Sequence, residues 1–277
     1  MSVYREMEIA TAKPSAEDRR AVPHHLLDLV DPAEEFTVSM FQDAARSVLA
    51  DISTRGALPL LVGGTGLYVR AVVDDLTLPG RWPEVAADLE AEADRDGVAA
   101  LYARLNELDP LAATRTTREN RRRIVRALEV TIGSGRRFSS FGPGLDAYPP
   151  TTDVLLGIPF DVETVDRRIE ERLRTWIAGG LLDEVRALAV RPGGLSRTAR
   201  QALGYRELLE HVESGTPLDD ALERAIQRTR TFARRQWAWF RRDPRIAWLG
   251  LGEDPVPALI DALRALRRLD AGGAVRE

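Results

Sequence analysis

A helical pattern followed by a short apolar run that stops at glycines is the feature that most limits the folds open to this chain. Residues 44–55 have the periodicity of an amphipathic helix, and residues 57–64, ALPLLVGG, form a continuous apolar run ended by two glycines. A helix followed by a fully apolar strand is typical of parallel sheets that are covered on both faces. The pattern therefore predicts an α/β fold with a strand ending at the glycines.

The rest of the chain predicts an α/β core interrupted by helices. A helix is predicted to follow the glycines, and two more apolar runs of strand length occur at residues 151–161 and 245–251. Between them the stretch 80–149 has only helical pattern and is bounded by Pro/Gly clusters, which predicts a helical insertion in a core formed by 1–79 and 150–277. Further helices are predicted at 165–190 (with a break at Gly179 and Gly180), 198–215, 217–242 and 254–269.

Composition excludes several classes of protein. The 277 residues include no cysteine, which excludes disulfides and thiolate metal sites and indicates a reducing compartment. The three histidines are too few for a histidine-rich metal centre. Neither a signal peptide nor an apolar stretch of the roughly 18 residues needed to span a membrane is apparent. We therefore expect a cytoplasmic protein, and the net charge of -4 argues against one that coats nucleic acid with its whole surface.

Two segments are rich in arginine and poor in acids. The first contains Arg115, Arg118, Arg121, Arg122, Arg123 and Arg126; the second contains Arg224, Arg228, Arg230, Arg234, Arg235, Arg241, Arg242 and Arg245. A solvated helix face is one interpretation. The scarcity of acids in both segments favours the other, contact with the phosphates of RNA or of a diphosphate. Trp237, Trp239 and Phe240 have a spacing that suits base stacking or helix packing, and packing is the favoured interpretation.

Two other features are weak when taken alone. The turn GGTG at residues 63–66 permits close backbone approach and an anion-binding nest, but no G-x-x-x-x-G-K-[ST] motif occurs in the chain. The cluster His24, His25, Asp28 and Asp31 is a poor tetrahedral set. We assign no metal to this cluster and expect a loop whose polar groups hold its own backbone. A G-x-S-x-G elbow is also missing, so hydrolase chemistry has no support.

Six ordered motifs resemble those of the bacterial tRNA dimethylallyltransferases. They are VYREMEIATAKPS (3–15), VPHHLLD (22–28), PLLVGGTGLYVRAV (59–72), RRRIVRALEV (121–130), QALGYRE (201–207) and TRTFARRQWAWFRR (229–242). The resemblance covers nearly the whole chain. It implies a P-loop NTPase-like α/β core with a helical insertion. The implied reaction is Mg²⁺-assisted transfer of a dimethylallyl group from dimethylallyl diphosphate to N6 of the adenosine on the 3' side of the anticodon.

The resemblance also implies roles for particular residues. By matching position, Thr65 touches the reacting adenosine or diphosphate, and Arg172 clamps the diphosphate together with Arg234 or Arg235. The residues implied to bind the tRNA anticodon stem-loop are Lys13, Thr65, Arg122, Arg123, Arg126, Gln201, Gly204, Tyr205 and Arg206. A monomer is expected. No residue of this chain is assigned to a metal.

The chain departs from the family at its beginning. Met1 falls on the variable position of the family's D-S-x-Q motif, Ser2 replaces its glutamine and Ala10 replaces a usual glycine. The general-base aspartate and the P-loop would precede Met1, and losing a positioned base costs about 10²- to 10⁴-fold in rate. The chain is therefore expected to be nearly inactive as written. It is also expected to be poorly soluble, since the missing core strands would leave apolar sheet edges exposed.

Two explanations of this departure remain open: a start codon placed too far downstream, which we favour, or a genuine truncation. The upstream reading frame should encode D-S directly before Met1, and a stop codon there would contradict the first. A non-catalytic RNA-binding remnant is the main alternative function. A nucleotide kinase would need a P-loop, which this chain does not contain. A related class of enzymes prenylates free adenylate, but the RRRIVRALEV segment favours tRNA as the substrate.

Overall fold

The chain divides into two compact units. A computed structural model describes residues 1–142, 144–250 and 256–273, with side chains up to residue 264. The first unit comprises Met1–Val69 with Thr151–Glu277, and the second comprises Arg70–Pro150. The stretch 80–149, for which the sequence predicts a helical insertion, lies within the second unit.

Most of the described residues are helical. In chain order the helices are α1 (Ala16–Ala21), α2 (Val38–Thr54), α3 (Gly66–Val73), α4 (Pro83–Asp96), α5 (Val98–Leu108), α6 (Pro110–Thr114), α7 (Arg121–Ser134), α8 (Val162–Ala178), α9 (Leu181–Ala189), α10 (Arg197–Arg200), α11 (Tyr205–Ser214), α12 (Leu218–Phe240) and α13 (Val256–Gly273). A single 3₁₀ turn covers Phe138–Ser140. Among the described helices, none is both long and apolar enough to cross a bilayer.

The described sheet has two parallel strands, β1 (Leu155–Gly157) and β2 (Ile246–Trp248). Leu155 lies opposite Ile246, and Gly157 lies opposite Trp248. Both strands lie in runs that the sequence predicted to be strands. The fold is therefore α/β, mostly helical, with a small parallel sheet.

The third predicted strand, at residues 57–62, is wrong. These residues have no regular secondary structure, and their side chains are largely exposed: Leu60 by 56% and Val62 by 90%. An apolar run becomes a strand only when another strand pairs with it, and none in the described part of the chain lies beside this one.

The core of the first unit forms around the N-terminal segment. Tyr4 and Met7 are fully buried and pack with residues of α9 and α11, among them Leu181, Val185 and Leu208. A smaller cluster joins α8 to α12 through Ile169, Leu173, Leu222, Ala225 and Ile226. The helix break predicted at the glycine pair is confirmed, because Gly180 precedes α9 with a φ of +99°, a conformation that favours glycine.

The second unit is a helical bundle with its own core. Leu89, Leu101, Leu105, Ile124 and Leu128 are buried between α4, α5 and α7. Asp109 is also fully buried, and it accepts hydrogen bonds from the backbone N–H groups of Ala112 and Ser139 at 3.1 and 2.8 Å. Burial alone would raise the pKa of Asp109, but these bonds outweigh burial and lower it. The carboxylate therefore holds α6 and the 3₁₀ turn together in its charged form.

Candidate functional site

The glycine turn at residues 63–66 packs directly against the C-terminal half of α12. Gln236 Nε2 donates a hydrogen bond to the carbonyl oxygen of Gly64 at 2.7 Å. A Cβ atom added to Gly64 would lie 2.2 Å from that nitrogen, and one added to Gly66 would lie 2.1 Å from Trp239 Nε1. A Cβ on Gly66 would therefore clash with the rigid Trp239 ring, whereas one on Gly64 would displace only the flexible end of Gln236 and its hydrogen bond.

Thr65 lies between these two contacts and directly precedes α3. Its carbonyl oxygen accepts hydrogen bonds from the N–H groups of Tyr68 and Val69 at 2.9 and 3.1 Å. The residue is exposed, and its hydroxyl group has no hydrogen-bond partner in the part of the chain that the structure describes. The backbone of Thr65 is thus held in place while its side chain is free to contact a ligand.

The three arginines predicted to clamp a diphosphate differ in their surroundings. Arg172 lies on α8 with its guanidinium 4.9 Å from the centre of the Trp176 ring. Arg234 donates to Asp166 at 2.6 Å. Asp166 lies on α8 six residues before Arg172, which separates the two residues by about 9 Å along the helix axis. Of the three, Arg172 and Arg235 are without a carboxylate partner among the described residues, so these two have charge available for a ligand.

Most other arginines of α12 are neutralised. Arg224, Arg228 and Arg230 pair with Glu210, Glu207 and Glu170 at 3.2, 2.6 and 2.9 Å. These three residues and Arg234 therefore have acid partners in the folded protein, and their predicted contact with phosphate stays a prediction. Acids are scarce within the segment itself, but α8 and α11 supply them across the helix interfaces.

The tryptophans of α12 pack within the protein. Trp237 stacks on Phe160 with ring centres 6.0 Å apart and meets Trp248 edge-on at 4.8 Å. Trp239 covers Gly66 and lies 5.5 Å from the guanidinium of Arg242. The packing interpretation is therefore confirmed for both tryptophans.

Of the four residues in the segment QALGYR that are predicted to bind tRNA, two are buried and two are exposed. Gly204 has a φ of +82° and Tyr205 is 1% exposed, whereas Gln201 and Arg206 face solvent. The Tyr205 hydroxyl donates to Glu184, and burial followed by this contact raises the pKa of Tyr205. These contacts show that Tyr205 holds protein structure; the predicted roles of the four residues in tRNA binding stay predictions.

Glu184 ties α9 to the N-terminal segment. Its carboxylate accepts hydrogen bonds from the N–H groups of Glu8 and Ile9 at 3.2 and 3.1 Å, in addition to the bond from Tyr205. A single acid therefore joins the segment before Lys13 to the segment QALGYR. Nothing in the local pattern around Glu184 distinguishes it from an exposed helix acid.

Lys13 has its charge satisfied by the protein. Its side chain is 2% exposed, and its ammonium group donates to the carbonyl of Tyr4 at 2.7 Å and to the carboxylates of Glu8 and Asp28. Lys13 lines an open cavity of about 560 Å³ together with Arg19 and Trp176. The role of Lys13 in tRNA binding stays a prediction, and its visible role is to hold the N-terminal segment.

The histidine and aspartate cluster is held by contacts inside and outside its own loop. Asp28 pairs with Lys13 and, at 3.0 Å, with Arg19, while Asp31 pairs with Arg191 at 2.8 Å. Asp31 also accepts the N–H of Ala33 at 2.8 Å, and His24 Nδ1 lies 2.7 Å from the carbonyl oxygen of Val22. The last two contacts confirm that polar groups of the loop hold its own backbone, and the three ion pairs add support from outside the loop.

Asp28→Asn is expected to destabilise the protein in a pH-dependent way. Burial alone would raise the pKa of Asp28, but Lys13 and Arg19 outweigh it and lower the pKa. The contribution is therefore complete above the ordinary aspartate pKa of about 3.9 and is lost as the pH falls through the lowered native value. We expect the variant to be less stable by about 1 kcal/mol at pH 7, with the difference closing towards pH 3.

Thermal unfolding of both proteins between pH 7 and pH 3 measures this difference. Asparagine is a conservative replacement because Asp28 has a φ of +56°, a region that asparagine tolerates. A stability difference that stayed constant over this range would contradict the assignment.

The arginines of the second unit also divide into free and engaged side chains. Arg126 Nη2 donates to the carbonyl oxygens of Pro79 and Gly80, both at 2.9 Å, and Arg126 pairs with the buried Glu129. Arg122 and Arg123 are exposed at the start of α7 and have no partner within the described ranges. Of the three predicted tRNA contacts on α7, these two are available to RNA, whereas Arg126 fixes residues 79–80.

The donors present do not form a magnesium site. Mg²⁺ prefers carboxylate and other oxygen ligands. Within the described residues, no group of three His, Asp or Glu side chains could hold a metal ion. We therefore derive no step through Mg²⁺.

Comparison with known proteins identifies the family. The model of the IPP transferase family matches residues 2–243. This chain belongs to the IPP transferase family. The tRNA dimethylallyltransferase of Kineococcus radiotolerans is 47% identical over 269 residues, which are 97% of this chain and 83% of that protein. That of Bifidobacterium animalis subsp. lactis is 42% identical over 271 residues, 98% of this chain and 76% of that protein.

Solved structures of IPP transferases share the fold. The full-length tRNA isopentenylpyrophosphate transferase of Bacillus halodurans gives a TM-score of 0.67 at 33% identity, covering 99% of this chain and 87% of that one. A eukaryotic dimethylallyltransferase, crystallised acting on tRNA, gives a TM-score of 0.70 at 24% identity, covering 90% of this chain and 65% of that one. The second likeness concerns the fold alone.

Proposed function

We propose that this protein transfers a dimethylallyl group from dimethylallyl diphosphate to N6 of the adenosine on the 3' side of the anticodon in tRNA. The observation that carries the proposal is the family match over residues 2–243. It is joined by the similarity to tRNA dimethylallyltransferases, which extends over more than nine-tenths of this chain. The site supports it, because an unengaged hydroxyl and unpaired guanidinium groups are what an anionic substrate requires.

The reaction breaks the bond between C1 of the dimethylallyl group and the diphosphate oxygen and forms a bond between C1 and N6. N6 loses a proton, and diphosphate leaves with the electron pair of the broken bond. Negative charge grows on the diphosphate as that bond lengthens, so positive groups held ready in the site lower the barrier. Arg172 and Arg235 are the proposed donors, with Thr65 contacting the reacting groups. We assign the proton acceptor to no residue of this chain.

The proposal extends to partners and location. Arg122 and Arg123 are expected to contact phosphates of the anticodon stem-loop, as are the exposed Gln201 and Arg206. The protein is expected to act as a monomer in the cytoplasm, with a P-loop NTPase-like core of which the parallel pair of β1 and β2 is a part. Dependence on Mg²⁺ is proposed from the family resemblance.

The test is transfer of labelled dimethylallyl diphosphate to tRNA. The 277-residue chain and the product of a reading frame extended upstream of the Met1 codon are assayed in parallel. The substrate tRNA carries adenosine 3' to the anticodon, and the control tRNA carries guanosine there. Label on the first tRNA alone supports the proposal, and loss of label in EDTA supports the metal requirement. Binding of tRNA without transfer by either protein would instead support the non-catalytic alternative.

Arg172→Ala is expected to lower kcat/KM for dimethylallyl diphosphate by about 10²-fold, because one charge donor to the leaving group is removed. The matched control is Arg167→Ala on the same helix. Arg167 is exposed, and its contact with Glu171 at 3.9 Å is a surface ion pair that contributes little. Equal rates for the two variants in the transfer assay would remove Arg172 from the diphosphate site.

A further inference from the structure

We propose that Gln236 is a positioning residue for the transfer reaction, holding Thr65 in a fixed place against α12. This inference rests on the proposed function and names a residue that neither the sequence motifs nor the comparisons assign. The amide of Gln236 acts through the backbone of the glycine turn and does not itself touch the substrate.

The geometry holds Thr65 from both sides. On the N-terminal side, Gln236 Nε2 donates to Gly64 O at 2.7 Å. On the C-terminal side, the Trp239 ring leaves no room for a Cβ on Gly66. Residues 236 and 239 are three apart and so lie on one face of α12, one helical turn from each other. Thr65 is therefore the one residue of the turn with both chain neighbours fixed to the same helix.

The arrangement also fixes the Thr65 hydroxyl relative to α12. The hydrogen bond between Gln236 and Gly64 holds the glycine turn on this helix. Arg235 belongs to the same helix, and its exposed guanidinium has no carboxylate partner in the described part of the chain. Small misplacements of groups that contact reacting atoms are costly, since a shift of about 1 Å can reduce a rate about 10²-fold.

Packing alone would not require an amide at this position. An apolar side chain of similar length would fill the same space against the turn, and Gly64 O would then lose its donor. The distinguishing feature of Gln236 is the directed hydrogen bond, so a test has to change the donor while keeping the shape.

Gln236→Glu makes this change, and pH controls its outcome. At pH 8 the carboxylate cannot donate to Gly64 O, and we expect kcat to fall about 10- to 100-fold while KM for tRNA stays within about twofold. Facing a carbonyl oxygen raises the pKa of the introduced carboxyl above the ordinary value of about 4.3. As the pH is lowered towards 5.5 the protonated group donates again, so kcat relative to the unaltered protein should recover.

Two further variants complete the experiment. Gln236→Met keeps the shape but lacks a donor at every pH, so its kcat should be low without recovery. Gln227→Glu is the matched control on the same helix, because the Gln227 side chain is exposed and, among the described residues, donates only to Glu223, at 2.9 Å. Its kcat should follow the unaltered protein at every pH. All four proteins are assayed in the form that transfers dimethylallyl to tRNA, and their unfolding midpoints are measured at each pH.

The results separate the possible failures. Transfer at the unaltered rate by Gln236→Glu and Gln236→Met at pH 8 would overturn the inference. Unfolding midpoints that fell in step with the rates would also overturn it, since Gln236 would then serve stability alone. If the unaltered protein shows no transfer under any condition, the proposed function fails, and that outcome is visible before any variant is compared.

Discussion

Gly66→Ala is expected to abolish most of the transfer activity and to destabilise the first unit, whereas Gly63→Ala is expected to do neither. The added Cβ at position 66 would lie 2.1 Å from Trp239 Nε1 and 2.2 Å from its Cδ1. Forcing an extra carbon into a packed contact costs about 1–3 kcal/mol and displaces the turn that carries Thr65. Helix propensity acts the other way, since alanine is favoured over glycine in a helix by up to about 1 kcal/mol. A net loss therefore has to come from Trp239.

The neighbouring glycine provides the control. A Cβ at Gly63 would meet no atom within 4 Å, and Gly63 has no positive φ. Gly63→Ala should change stability by less than about 1 kcal/mol, with either sign. Urea unfolding measures the two differences, and the tRNA transfer assay measures the rates.

A compensating change identifies the cause. Replacing Trp239 by phenylalanine in the Gly66→Ala protein shortens the facing ring and should restore part of the lost stability. Equal stability of the two single glycine variants, or no effect of Trp239→Phe on the Gly66→Ala protein, would refute the role of this contact.

Arg70→Met should destabilise the second unit by about 3–5 kcal/mol, the cost of removing one member of a buried ion pair. Arg70 is 3% exposed and pairs with Asp74, whose side chain is 1% exposed. The guanidinium also donates to the carbonyl oxygens of Leu145 and Ala147 at 3.1 and 2.6 Å, and it lies 4.6 Å from the centre of the Tyr148 ring. One side chain therefore holds both the beginning and the end of this unit.

Arg104→Ala is the matched control within the same unit. Arg104 pairs with Glu92 at 2.9 Å, but its side chain is 43% exposed, and surface pairs contribute about 0–1 kcal/mol. Urea unfolding measures both variants, and amide hydrogen exchange at residues 145–148 reports local opening. Combining Arg70→Met with Asp74→Leu should recover part of the loss, because both charges of the buried pair are then removed. A loss for Arg70→Met no larger than for Arg104→Ala would contradict the buried clamp.

The helices could be predicted from the sequence because their signals are local. The amphipathic pattern at residues 44–55 falls on α2 and ends one residue beyond it, and the pattern at residues 217–242 matches α12 to within two residues at each end. The glycine pair at 179–180 separates α8 from α9. Strands were harder to predict, since a strand exists only where another segment pairs with it. The runs at 151–161 and 245–251 contain β1 and β2, which pair with each other, whereas the equally apolar run at 57–62 has no such partner in the described structure.

The candidate site shows the same division. The glycine turn and Thr65 were predicted from a motif, but Gln236 was not. A glutamine between arginine and tryptophan carries no signal until the turn is seen against α12. Likewise, the count of acids within residues 224–245 could not reveal Glu170, Glu207 and Glu210, which lie on other helices.

By itself the sequence determined the family, the helices and the residues that can carry the chemistry, since these depend on residue identity and on spacing within one segment. The tertiary structure decided which of those residues are free to act. It engages Lys13, Arg126 and Arg234 in contacts with the protein, and it leaves Thr65 and Arg235 without a partner for their side chains among the described residues. The physical reason is that neutralisation and close packing depend on atoms a few ångströms apart in space, and those atoms belong to residues up to 185 positions apart in the chain.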